Sequence, residues 1–129
     1  MAKFGIALAV LAWLAPAGET RAQSAEPISV ALTDYAFTPS TLSLRAGVSY
    51  HMHFTNSGSK DHSFSAPEFF AASQVAPEDQ VKVKKGTVAV DSGQAVDITV
   101  TPGKAGSYAL SCTHFMHSMM GMHGTIAVQ

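Results

Sequence analysis

The chain carries one cysteine, Cys112, and it lies in "SCTHFMHSMMGMHGTIAVQ", residues 111–129. Four of the six methionines (Met116, Met119, Met120, Met122) and three of the six histidines (His114, His117, His123) fall within eleven residues of it. Met fills irregular cores well. Imidazole does not, and Gly121 and Gly124 interrupt any regular element, so a ligand-bearing loop accounts for the composition better than packing. Within it the spacing Cys112-x4-His117-x4-Met122 can turn a thiolate, an imidazole and a thioether toward one point. A site this soft calls for a second imidazole, and His62, just past the turn-forming "NSGSKD", is the candidate. Two His, a Cys thiolate and a weak axial Met are the donor set of a blue-copper electron-transfer centre. Thiolate and thioether favour Cu(I), while imidazole serves both oxidation states.

Those residues need a frame, and the sequence predicts an all-β one. "ISVAL" places Ile28, Val30 and Leu32 on one face, "TLSL" does the same with Leu42 and Leu44, and "VSYHMHFTN" with Val48, Tyr50, Met52 and Phe54. "TVAV", "AVDITV", "GSYALS" and "GTIAVQ" follow, with a hairpin signal at Ser92-Gly93-Gln94 between the first two. Short period-2 runs separated by Gly, Pro, Asn and Ser read as a Greek-key β-sandwich. One segment differs. "SAPEFFAAS" predicts a short helix from about Ala66 to Ser73, with Ser65 and Glu68 as a capping box and Pro67 tolerated in the first turn.

"YALSCTHFMHSMMGMHGTIAV" resembles the C-terminal copper loop of the cupredoxins, the plastocyanin and azurin family, most specifically in the Gly121–Val128 ending. "NSGSKDHSFSAPEFF" is similar to the upstream His segment of bacterial periplasmic members. The resemblance runs from about Ile28 to Gln129. It implies an eight-stranded Greek-key sandwich with His62, Cys112, His117 and Met122 as the ligands of one type 1 copper. Two positions depart from the family's habit: Ser63 stands where Asn often follows the upstream His, and Phe115-Met116 where Pro-Gly often precedes the loop His. A hydroxyl at 63 can still hydrogen-bond to the Cys loop.

Competing readings are weaker. A buried structural thiol leaves the flanking His and Met unexplained. A Cys–His nucleophile lacks an evident oxyanion site. Zinc on Cys112, His62 and His117 is chemically sound, but a thioether is not a usual zinc ligand. Met119 or Met120 could replace Met122 as the axial donor. His51 and His53 in "YHMHF" share the face opposite Tyr50, Met52 and Phe54. They read as solvated surface residues, or as a second, weaker copper site lacking further donors in sight. His114 and His123 are surface residues near the main site or part of such a site. Met116, Met119 and Met120 suit an apolar docking patch or a Cu(I) acceptor. Lys82, Lys84 and Lys85 read as edge-strand protection, or as a guide for an acidic partner.

The 129-residue chain has a net charge of −1 and no basic stripe, which excludes a nucleic-acid binder. Residues 1–22 read as a signal peptide. Lys3 gives the positive start, Phe4 to Ala15 the apolar core and Thr20-Arg21-Ala22 the cleavage site, with cleavage after Ala17 or an uncleaved anchor as alternatives. Residues 23–27 are then a flexible leader and residues 28–129 one domain. A lone cysteine forms no disulfide framework, and in an oxidising compartment it needs burial or a metal. The expectation is therefore a periplasmic, monomeric, non-enzymatic one-electron carrier without a membrane span once processed, working with a redox partner protein. The alternative is a copper-handling or copper-tolerance protein that takes extra copper from a donor, or passes it to an acceptor, through its surplus His and Met.

Overall fold

The structure, a computed structural model, describes residues 12–13, 24–114 and 118–129. Most of the expected signal peptide lies outside the described residues, as do Phe115, Met116 and His117 of the loop. Among the described residues ten strands form: β1 (Glu26–Thr33), β2 (Ala36–Thr38), β3 (Thr41–Leu44), β4 (Tyr50–Asn56), β5 (His62–Ser65), β6 (Ser73–Val75), β7 (Thr87–Val90), β8 (Ala95–Pro102), β9 (Gly106–Ser111) and β10 (His123–Val128). They make two five-stranded sheets, in the orders β2-β1-β4-β8-β6 and β3-β10-β9-β5-β7. The resemblance implied eight strands; β2 and β6, three residues each, are the short additions. β1 pairs with β4 and β3 with β10 in parallel, because the chain crosses between the sheets before returning, while the other strand pairs are antiparallel.

Alternation decides the faces. Val30 and Leu32, then Tyr50, Met52 and Phe54, then Ile98 and Val100 are buried from the first sheet. Leu42, Leu44, Phe64, Val88, Val90, Leu110, Ile126 and Val128 are buried from the second. Together they form one core. β1 begins at Glu26, which pairs with Tyr50, so the strand starts two residues ahead of the Ile28 boundary read from sequence.

Local expectations fared unevenly. The helix exists as α1 (Pro67–Ala71), but it is shorter than expected and has no side-chain cap. Ser65 belongs instead to β5, pairing with Thr87 and Ser111, and its hydroxyl bonds Thr87 Oγ1 at 2.8 Å. Strand pairing competed with the capping box and won. The Ser92-Gly93-Gln94 turn is real, with Gln94 N–H donating to the Asp91 carbonyl at 2.9 Å and Gly93 at φ +76°. It does not close a hairpin, because β7 and β8 lie in different sheets. Backbone bonds from Gly93 N to Asn56 O (2.9 Å) and from Asn56 N to Gln94 O (3.0 Å) dock the turn on the end of β4 and send the chain across. Lys82 ends a 3₁₀ helix (Pro77–Lys82), and Lys84 and Lys85 lie in the turn before β7, so none stands on an edge strand.

Close approach explains Gly124. A Cβ there would overlap the Ser40 carbonyl oxygen, next to the bond from Thr125 N to Ser40 O at 2.9 Å. The obstacle is backbone and cannot swing away. Gly124→Ala is expected to destabilise the metal-free chain by about 2 kcal/mol, read from a denaturant midpoint. An unchanged midpoint would show that the β2–β3 connection yields freely.

Candidate metal centre

Strand order gathers the candidate donors at one end of the second sheet. β9 lies between β10 and β5, and Cys112 follows its last residue. Met122 immediately precedes β10, whose His123 pairs with Ser111. His62 opens β5, which runs antiparallel to β9 with Ser65 opposite Ser111, so it stands beside the chain just beyond β9. Cys112 N–H donates to the Met122 carbonyl at 3.2 Å and ties the two ends of the loop together. His62 and Met122 are fully buried and Cys112 is 3% exposed. Met119 and Met120, on a 3₁₀ turn (Ser118–Met120), are 82% and 54% exposed. Burial therefore favours Met122 over its neighbours as the axial donor. His117 lies outside the described residues.

The segment leading to His62 is held from within. Asn56, buried at the end of β4, donates through Nδ2 to the carbonyls of Lys60 and Val90, both at 2.8 Å. Its Oδ1 accepts from Gly58 N at 2.9 Å. Ser92 N donates to Asp61 Oδ1 and Ser92 Oγ to the Gly58 carbonyl, at 2.8 and 2.7 Å. One buried amide thus sets the loop that delivers the histidine, at the low cost of a fully satisfied polar group.

His62 has a partner that sequence reasoning missed. Asp34, in the tight β1–β2 turn, places Oδ1 3.0 Å from His62 Nε2. A carboxylate can only accept, so Nε2 carries a proton, which in the neutral ring makes Nδ1 the nitrogen a metal would use. Hydrogen bonds from the Ser59 hydroxyl and then from His62 hold the Asp34 carboxyl down at about 2. Gly58 permits this approach, because a Cβ there would collide with Asp34 Oδ1 and stand 3.1 Å from His62 Nε2. No local pattern marks Asp34, since the pairing spans 28 residues.

Ser63 supplies the expected bond to the Cys loop. Its Oγ lies 2.8 Å from Thr113 Oγ1, accepts from Thr113 N at 2.9 Å and reaches Cys112 Sγ at 3.7 Å. One assignment satisfies all three: both Thr113 groups donate to Ser63, and the Ser63 proton points at sulfur. Such a donor stabilises negative charge on a thiolate. With copper bound, Ser63→Ala should lower the reduction potential, since electron density returned to sulfur favours Cu(II). An unchanged potential would assign that proton to Thr113 instead.

The donors fit copper better than zinc, because a thioether, Met122, is buried along with the thiol of Cys112, whose backbone bonds its carbonyl, while Met119 and Met120 are exposed. Among the described residues no three His, Cys, Asp or Glu side chains already stand around a common metal position. That count includes neither Met122, a thioether, nor His117. His114 and His123 are exposed at the same end. His51 and His53 lie on the outer face of the first sheet, as the alternation predicted.

The cupredoxin-like domain family matches residues 5–128. Among solved structures, dithionite-reduced auracyanin from Roseiflexus castenholzii is similar at TM-score 0.62 and 17% identity, over 83% of this chain and 99% of that one. Auracyanin B is similar at TM-score 0.62 and 19% identity, over 84% and 92%. A multicopper oxidase from Campylobacter jejuni, a metallo-oxidase, is similar at TM-score 0.59 and 14% identity, over 84% of this chain but 31% of its own. No curated protein matches.

Proposed function

From the premise that this chain belongs to the cupredoxin-like family, we propose that it is an exported type 1 copper protein carrying single electrons. His62, Cys112, His117 and Met122 are the ligands in this reading. The observation that carries it is the burial of an imidazole, a thiol and a thioether at the ends of three adjacent strands, with Asp34 orienting the imidazole and Ser63 facing the sulfur. Bound there, copper would alternate between Cu(II) and Cu(I) and so take up and release one electron. The protein's own part is to keep the donors still. Adjacent strands, the Cys112–Met122 backbone bond and the Asn56-held loop resist rearrangement between the two states. Export is supported by the signal-peptide pattern at residues 1–22 and by the burial of the lone thiol. Among the described residues no helix is long and apolar enough to cross a membrane.

Loading the chain with one equivalent of Cu(II) should produce an intense thiolate-to-copper visible band, and Cys112→Ser should abolish it. Absence of the band in the unaltered chain would remove the type 1 reading. A second reading, copper handling, draws on the exposure of Met119 and Met120 beside the site. It predicts that Cu(I) passes to or from a soft acceptor more slowly once both are replaced by Leu.

A further inference from the structure

Away from the candidate centre, the first sheet gathers a second set of nitrogen and oxygen donors. β4 turns Tyr50, Met52 and Phe54 inward, so His51 and His53 project from the outer face and remain partly exposed. β8 runs antiparallel beside it with Asp97 directly opposite His53. Asp97 Oδ1 lies 3.0 Å from His51 Nε2 and 2.6 Å from His53 Nδ1. Side-chain exposure is 46% for His51, 41% for His53 and 42% for Asp97, so an ion can reach all three. The sequence showed two imidazoles without a third donor; tertiary pairing brings one from 44 residues away.

We propose that His51, His53 and Asp97 form a second metal site, for a divalent ion of the copper class held by two imidazoles and one carboxylate. As they stand, hydrogen-bonded to one another, the three do not surround a common metal position; neighbouring donors on a metal with bonds of about 2.0–2.1 Å stand roughly 2.9 Å apart at right angles, so the nitrogen–oxygen separations need change little. The trio is not preformed. Each ring now shares a proton with the carboxylate, and metal entry needs that proton on the other ring nitrogen and a small rotation of exposed side chains. The charge around the trio favours a cation. Asp79, buried under the same face, donates nothing and accepts from Thr99 N at 2.8 Å, while Lys82 spans Asp79 Oδ1 at 2.9 Å and the Asp97 carbonyl at 2.8 Å. Two carboxylates against one ammonium leave a net negative patch when the imidazoles are neutral. Mixed imidazole and carboxylate donors suit tetragonal Cu(II), which also heads the affinity order of the divalent series. Neither Cys112 nor Met122 takes part, so the site does not depend on the type 1 reading.

The test is a Cu(II) titration of the untagged full chain and of its Cys112→Ser form, followed by electron paramagnetic resonance with glycine as a competing ligand. One equivalent with wide parallel hyperfine splitting and nitrogen coupling, itself giving no intense visible band, should bind in both: alone in Cys112→Ser, and beside the equivalent that fills the type 1 site in the full chain. Replacing His51 and His53 together by Ala should remove it, and Asp97→Asn should weaken it at least tenfold, with melting temperatures near that of the parent. No such equivalent, loss of it to glycine, or a signal retained without His51 and His53 would each overturn the proposal. A visible band absent from the full chain while this signal persists would sink the type 1 reading and leave this site standing.

Discussion

Phe64→Ala is expected to cost the fold about 4 kcal/mol, the upper part of the range for a fully buried aromatic. Phe64 lies on β5 two residues after His62 and has no exposed surface. Its ring stands 4.7 Å from Phe54 across the sandwich, 6.0 Å from Phe37 and 6.2 Å from Phe70 of α1, the last two edge-on. Truncation removes a side chain that meets Phe54 and Phe37 of the other sheet and Phe70 of the helix, and packed neighbours limit collapse into the gap. The functional consequence follows from position, because β5 carries His62 at its start. Denaturant titration of the metal-free chain measures the loss, and a cost under about 1 kcal/mol would show that the aromatic cluster repacks. Phe64→Leu should recover much of the stability, since volume-conserving swaps are the better tolerated.

Asp34→Asn is expected to raise the reduction potential of the copper-loaded protein by about 59 mV or more, equal to a tenfold change in the Cu(I) to Cu(II) affinity ratio for one electron. The Asn side-chain carbonyl can still accept from His62 Nε2 and Ser59 N, so ring orientation is kept; the charge is lost, and the Ser59 hydroxyl, which now donates to Oδ2, must turn to accept from the amide. A carboxylate partner makes the imidazole a stronger donor and places a negative charge near the metal, both of which favour Cu(II). A purely structural role for Asp34 would leave the potential unmoved, which separates the two accounts. The same residue marks the acid response of the metal-free fold. Its folded value of about 2 lies below the ordinary 3.8, so its contribution is present above 3.8 and disappears as pH falls toward 2. Asp97, held low first by its bond from His53, acts in the same direction. So does Asp79, where burial opposes ionisation but Lys82 and the Thr99 N–H outweigh it. Melting temperature should therefore decline below about pH 4, and less steeply in Asp34→Asn.

Much of the sandwich was legible because its signal is local. Strict alternation in "YHMHFTN" puts Met52 and Phe54 inside and His51 and His53 outside whatever the strands pair with, and the structure agrees. The soft-donor loop was legible for a similar reason: one cysteine among surplus His and Met is a compositional fact. Three features misled. Ser65 and Glu68 have the spacing of a capping box, yet Ser65 was taken by Thr87 across the sheet. Ser92-Gly93-Gln94 has the chemistry of a hairpin turn, yet turn geometry sets only the reversal and not which sheet receives the next strand. The lysines of "KVKK" look like guards of a strand edge, yet Lys82 closes a 3₁₀ turn on Asp79.

Sequence by itself therefore determined the alternating faces and the all-β class, and it offered the soft donors of the loop, because each depends on residues a few positions apart. Tertiary structure alone decided the partners of those donors. Asp34 meets His62 across 28 residues, Ser63 meets Cys112 across 49, and Asp97 meets His53 across 44. A hydrogen bond depends on atoms within about 3 Å, and only strand pairing brings such distant residues that close. Three of the four proposed donors are written in one loop, while the partners of His62 and Cys112 are written in the pairing of the sheets.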